Sequence, residues 1–144
     1  MMTFETFRQQ FSLRLDKQQE AAVCQTEGPV LLLAVPGSGK TTALLARIGY
    51  LLYCRQVPPE SVLTVTYTVA ATADLRRRFS ETFGEEYATR LEFRTINGVS
   101  ARIIRSYETL TGRKAFDLMT DERKLAALVT EIAAAVSKEY PTDS

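Results

Sequence analysis

The 144-residue sequence contains no histidine. That removes the commonest general base and the commonest metal ligand together. It has two cysteines, Cys24 and Cys54, and their separation matches no metal-ligand spacing. Two isolated thiols suit a reducing compartment, so the expected location is the cytoplasm. Neither sign of charge is in surplus: 18 basic residues against 17 acidic ones leave a formal net charge of +1, which points to no partner. No apolar run approaches the roughly 18 residues that mark a membrane span, so no membrane association is expected. The opening "MMTFETFRQQFSLRLDKQQ" lacks the basic start and apolar stretch of a secretion signal. Internal repeats and low-complexity segments are absent too. What remains is an ordinary globular composition, 45% hydrophobic and 24% charged, of one domain's length.

Strand-like and helix-like segments alternate along the chain. Residues 4–12 are weakly amphipathic, and "LDKQQEAAV" (15–23) has the pattern of a short helix capped by Asp16. Gly28-Pro29 marks a turn. "VLLLA" (30–34) is an uninterrupted apolar run, as in a strand buried on both faces. "KTTALLARIGYLLY" (40–53) predicts a helix with Leu44, Ile48, Leu51 and Leu52 on one stripe. Pro58-Pro59 breaks the chain, and "SVLTVTY" (61–67) and "LEFRT" (91–95) predict two further strands. Helices are expected over 71–83, over 98–110 with Val99, Ile103 and Tyr107 aligned, and over 121–140 with Thr120 as the cap. Alternation of this kind implies βαβ units and a parallel sheet. Three strands followed by helix alone make a poor complete domain, so the expectation is the opening part of a larger α/β protein.

The segment between the first strand and its helix carries chemistry. Ala34-Val35-Pro36-Gly37-Ser38-Gly39-Lys40-Thr41 follows the phosphate-loop pattern G-x-x-x-x-G-K-[ST], with alanine in place of the first glycine. Gly37 and Gly39 accept backbone angles that a β-carbon resists, and they let amide N–H groups crowd round an anion. The helix starting near Lys40 aims the positive end of its dipole at the same place. Lys40 supplies a flexible charge for the β- and γ-phosphates, and the Thr41 hydroxyl suits a ligand position on Mg²⁺. The expected phosphate-binding set is Ala34, Pro36, Gly37, Ser38, Gly39, Lys40, Thr41 and Thr42, with Lys40 and Thr41 nearest the chemistry. A strand-turn-helix corner that merely uses Gly and Ser is the plainer alternative.

Three further segments narrow the class. "LDKQQEAAV" resembles the Q motif, L-N-x-x-Q-x-x-A-V, of superfamily 1 helicases of the UvrD/Rep type, with Asp16 standing where asparagine is usual. The resemblance makes Gln19 the adenine-reading residue, a task that suits an amide because it donates and accepts at once. "VLTVTYTVAATADLRRRF" (62–79) is similar to motif Ia, with Val69 and Ala70 replacing Asn-Lys. "FRTINGVSARIIRSY" (93–107) is similar to motif Ib, with Asn97 in place of histidine and Gly98 in place of a small serine or alanine. In the family these two segments touch single-stranded DNA. That assigns DNA contact to Thr66, Tyr67, Thr68, Thr95 and Asn97, where stacking on Tyr67 and hydroxyl contacts to phosphate are the available chemistry. A half-buried strand aromatic at Tyr67, and a helix cap at Thr95 or Asn97, are the plainer readings of the same residues.

The resemblance covers about residues 13–110. It implies a P-loop NTPase (RecA-like) parallel sheet flanked by helices, incomplete, with a helical C-terminal tail. Residues 1–110 would be the first part of the ATP-binding motor domain, and 111–144 the start of a helical insertion. It also implies ATP and Mg²⁺ as cofactors, and as partners single-stranded DNA, traversed 3′ to 5′, with the remaining helicase domains of the parent chain. A working motor needs an Asp-Glu pair at a strand end. Asp121-Glu122 has the wrong setting, since Thr120-Asp121-Glu122 is helix-start chemistry. Hydrolysis by these residues alone is therefore not expected. A small kinase, or a regulatory domain that binds nucleotide or single-stranded DNA without turnover, remain alternatives. Arg76-Arg77-Arg78, with acids close by, predict a salt-bridged solvent face rather than a nucleic-acid surface.

Overall fold

The computed structural model of the chain describes residues 2–33, 35, 37–115 and 119–139. The chain divides into two compact units, Met1–Ile103 and Ile104–Ser144. The first contains α1 (Phe4–Gln10), α2 (Lys17–Cys24), α3 (Lys40–Tyr53), a 3-10 turn (Pro59–Ser61), β1 (Leu63–Thr66), α4 (Val69–Phe83), α5 (Glu85–Arg90) and β2 (Glu92–Thr95). α6 (Ile96–Thr111) starts in this unit and runs into the second, which also holds α7 (Glu122–Glu139).

β1 and β2 pair in parallel, with Leu63 opposite Glu92 and Thr66 opposite Thr95. Between them lie α4 and α5, so the expected βαβ unit is present. Side chains alternate across the pleat. Thr64 and Phe93 face inward and are buried, whereas Leu63 and Val65 remain about half exposed.

The core is aromatic. Phe7 of α1 stacks on Phe83 of α4 with ring centroids 5.8 Å apart, and Phe11 and Tyr53 close round the same pair. Phe79 joins Phe83 to Phe93 on β2. Gly49 makes room for this stack: a β-carbon there would lie 2.7 Å from the Phe83 ring and 2.9 Å from Phe7. The buried face of α3 is accordingly Leu45, Ile48, Gly49 and Leu52. The expected stripe is corrected at two positions, since Leu44 is exposed and Leu51 half-buried. The side of α3 that carries Gly49 faces the rings, and Leu44 lies off that side.

The apolar run at residues 30–33 also departs from expectation. It forms no ladder with β1 or β2, and Leu31 and Leu33 are each 81% exposed. A strand buried on both faces needs neighbours along its edges and helices over its faces. Among the described residues the sheet holds β1 and β2 alone. Ala34, at the end of the run, lies outside the described residues.

α4 begins two residues earlier than expected because the Thr68 hydroxyl accepts the Ala71 N–H, at 3.1 Å. In the second unit the Asp121 carboxylate accepts the N–H groups of Arg123 (3.0 Å) and Lys124 (3.3 Å). The cap of α7 is thus Asp121, not Thr120: a residue just before the first helical position is the one whose side chain reaches these donors. The last residue of the helix expected over 121–140, and parts of the insertion expected over 111–144, fall outside the described residues. Among the described residues no helix is long and apolar enough to cross a membrane.

Candidate functional site

Asp16 starts the site. Its carboxylate accepts the N–H groups of Gln18 and Gln19, both at 2.8 Å, and its own N–H donates to Gln19 Oε1 at 3.0 Å. This reciprocal capping box fixes both the first turn of α2 and the amide of Gln19. The other end of that amide reaches across to the glycine loop, where Nε2 donates to the Ser38 carbonyl at 2.9 Å.

The loop itself is tightly turned. Gly37 has φ +81° and Gly39 φ +78°, left-handed angles that disfavour any residue with a β-carbon. Gly39 is the N-cap of α3 and has a second reason to lack a side chain, because a β-carbon there would lie 2.7 Å from Gln19 Nε2. Three donors converge on the Val35 carbonyl: the Ser38 hydroxyl (2.7 Å), the Lys40 ammonium (2.8 Å) and the Ser38 N–H (3.2 Å). Asp16, Gln19, Val35, Ser38, Lys40 and the apolar Leu32 line one open cavity of about 570 Å³. Thr41 is half-buried and Thr42 exposed in the first turn of α3. The structure therefore brings Gln19 together with Ser38, Gly39 and Lys40, which lie about twenty residues further along the chain. Ala34 and Pro36, the other two expected members, lie outside the described residues.

α2 is held against α3 behind this cavity. Val23 is completely buried, and the Arg47 guanidinium of α3 donates to the Ala22 carbonyl. The contact fixes the start of α3 relative to Gln19.

The residues assigned to DNA gather at one end of the β1–β2 pair. Thr66 faces Thr95 in register, so Tyr67, Thr68 and Asn97 all follow the carboxyl ends of parallel strands. That is the edge where open α/β sheets carry their ligands. The hydroxyls there are already engaged: Thr66 Oγ1 shares a 2.6 Å hydrogen bond with Thr72 Oγ1, Thr68 caps α4, and Thr95 Oγ1 accepts the Gly98 N–H at 3.0 Å. Tyr67 is 89% exposed, which excludes the half-buried strand aromatic. Asn97 is exposed on the first turn of α6.

The arginines do form ion pairs. Arg77 bonds Asp74 (2.6 Å) and Glu81 (2.7 Å), and Arg78 bonds Asp74 (2.8 Å). Arg90 bonds Glu60 (2.8 Å), while Glu92 holds both Arg94 (2.7 Å) and Arg102. The hydrogen bond from Arg77 holds the Asp74 carboxyl below its ordinary range, and Arg90 and Arg94 do the same for Glu60 and Glu92. Arg76 donates to the Ala88 carbonyl and lies over the Phe93 ring, 5.2 Å from its centroid. Burial raises the thiols of Cys24 and Cys54, which are both free. No group of three or more His, Cys, Asp or Glu side chains that could hold a metal exists among the described residues.

Sequence reasoning missed three participants: the reciprocal Asp16–Gln19 bond, the Val35 carbonyl, and Thr72 as partner of Thr66. The first was readable, since an acceptor followed three positions later by Gln is the capping-box pattern. The other two depend on the folded path of the chain.

The chain is 36% identical over 98 residues to the ATP-dependent DNA helicase UvrD1 of Mycobacterium leprae, covering 68% of this chain and 13% of that relative. It is 42% identical over 73 residues to the putative ATP-dependent DNA helicase YjcD of Bacillus subtilis, covering 51% of this chain and 10% of the relative. With the ATP-dependent DNA helicase PcrA of Staphylococcus epidermidis it shares 38% identity over 91 residues, 63% of this chain and 12% of the relative. The chain thus spans about an eighth or less of the length of these relatives. The description "UvrD/REP helicase N-terminal domain" matches residues 15–144, nearly the whole sequence, and the chain belongs to that family.

Proposed function

We propose that the Gly37–Thr42 loop and Gln19 hold ATP, as the nucleotide-binding part of an ATP-driven helicase motor that moves 3′ to 5′ on single-stranded DNA. The observation that carries this reading is the meeting of the Gln19 amide with two left-handed glycines at the N-terminus of α3, beside Lys40. The residues fit the ligand. The first turn of a helix presents N–H groups with no partner in the helix, and its dipole favours an anion. Gly37 has nothing within 4 Å of where a β-carbon would stand, so the backbone is approachable there. Lys40 would exchange the Val35 carbonyl for β- and γ-phosphate oxygens, and Ser38, Gly39, Thr41 and Thr42 would line the phosphate tail. Gln19 keeps one Nε2 hydrogen and one Oε1 lone pair for the edge of adenine. Mg²⁺ usually binds largely through substrate phosphates and water, and the Thr41 hydroxyl would be the protein's ligand here. When bound, the ion would neutralise charge between the β- and γ-phosphates.

The fold proposed for the parent is the P-loop sheet, with residues 1–110 in the motor domain and 111–144 opening a helical insertion. Thr66, Tyr67, Thr68, Thr95 and Asn97 would meet DNA, and the exposed ring of Tyr67 would be free to stack on a base. The two free thiols suit the cytoplasm. Turnover is not proposed for these 144 residues: β1 ends at Thr66 and β2 at Thr95, and neither strand ends in an Asp-Glu pair. That same observation favours, as a second reading, a domain that binds nucleotide or single-stranded DNA without hydrolysis. Titration with a fluorescent ATP analogue tests the first reading. Lys40→Ala should weaken binding at least tenfold, the scale of a charge-assisted hydrogen bond; equal affinity would remove the phosphates from this loop.

A further inference from the structure

The side-chain amide of Gln19 is bonded to the glycine loop. We infer that Gln19 is a positioning residue for the phosphate site as well as a reader of adenine, with Asp16 as the group that aims it. This rests on the reading of the loop as the triphosphate site and adds a second role to one of its residues.

The amide of Gln19 is fixed at both ends. Oε1 takes the Asp16 N–H, and Nε2 gives a hydrogen to the Ser38 carbonyl. A flipped amide would set donor against donor at Asp16 and acceptor against acceptor at Ser38, so only one orientation satisfies the two neighbours. Asp16 is in turn fixed by two N–H groups of its own helix. The strut therefore runs from the first turn of α2, through one amide, to the peptide between two left-handed turns. The Ser38 carbonyl belongs to the peptide whose N–H is that of Gly39, the N-cap of α3. Restraining that carbonyl restrains the direction of the N–H on the opposite side of the same plane. Peptide N–H groups of this stretch are what an anion nest is made of. Gly39 completes the fit, because its missing side chain is what allows the amide to approach.

A residue that reads only the base should not affect a ligand without one. The test therefore uses inorganic tripolyphosphate with Mg²⁺, titrated by calorimetry into the whole chain. Two variants separate the roles. Gln19→Ala removes the strut and half of the capping box. Gln19→Glu keeps an oxygen for the Asp16 N–H, and so the cap, but turns a second oxygen towards the Ser38 carbonyl. Both should bind tripolyphosphate more weakly than wild type: Gln19→Ala by about five- to tenfold, the scale of one lost hydrogen bond, and Gln19→Glu by more, because it also brings a negative charge to an anion site, so that Gln19→Ala carries the comparison. The Gln19→Glu chain should meanwhile melt close to the wild-type temperature, which a purely structural loss would not allow. Unchanged tripolyphosphate affinity in the Gln19→Ala chain, with ATP-over-GTP preference lost, would reduce Gln19 to a base reader and overturn the inference. Lys40→Ala serves as the reference: if it too leaves tripolyphosphate binding unaltered, the loop is not the phosphate site and both readings fall.

Discussion

Gly39 is the residue where backbone and side-chain demands coincide. Its φ of +78° costs an L-residue about 1–2 kcal/mol, and a β-carbon there would press on Gln19 Nε2 at 2.7 Å. Gly37 has a similar φ of +81° but open space around it. The pair makes a controlled comparison. Gly37→Ala should lower stability by the backbone term alone, about 1–2 kcal/mol. Gly39→Ala should lower it by at least as much and should also weaken tripolyphosphate binding by displacing Gln19. Chemical denaturation and calorimetry on the two variants check this; equal ligand affinity would mean that the Gln19 contact is incidental. These glycines were legible in the sequence because the spacing G-x-G-K-T is itself a statement about backbone angles and charge. The strut was not, because it joins residues nineteen apart through a single amide.

At the scale of elements, α3 shows what periodicity can and cannot deliver. A helix over 40–53 follows from the spacing of its apolar residues, and the structure has it with those bounds. Which face turns inward depends on partners, and the aromatic stack of Phe7 and Phe83 selects the side carrying Gly49. Gly49→Ala gains helix propensity of up to about 1 kcal/mol. It loses more through overpacking against the two rings, about 1–3 kcal/mol. The expected net result is a lower melting temperature, measured by circular dichroism; a rise would show that the rings yield freely. The apolar run at 30–33 teaches the complementary lesson. Hydrophobicity showed that the segment wants burial, but a strand exists only with ladder partners, and those pairings are not local information. β1 and β2 were legible because each alternates or is rich in β-branched residues, and because α4 and α5 return the chain to pair them.

Among the described residues several surface carboxylates are paired with arginines. Asp74, Glu60 and Glu92 are held below their ordinary values of 3.8 for aspartate and 4.5 for glutamate by neighbouring arginines. A carboxyl lowered in the folded state adds stability above its unfolded value, and that stability is lost as pH falls through the folded one. Unfolding temperature should therefore fall as pH drops below about 4.5, with a shallow slope, because these pairs lie at the surface and are screened by solvent. Added salt should flatten the slope further; a slope unaffected by salt would point to buried carboxylates instead. The absence of histidine leaves pH 5 to 8 without a side chain of ordinary pKa to titrate there, so a flat profile is expected across that range. The most direct test of the central claim is an NMR titration of the isotope-labelled chain with ATP and Mg²⁺. The account predicts that the amide signals of Gly37, Ser38, Gly39, Lys40 and Thr41 move together with the Gln19 side-chain amide, while the β2 signals stay in place. Shifts clustered around Arg90, Glu92 and Arg102, with the glycine signals unmoved, would contradict it.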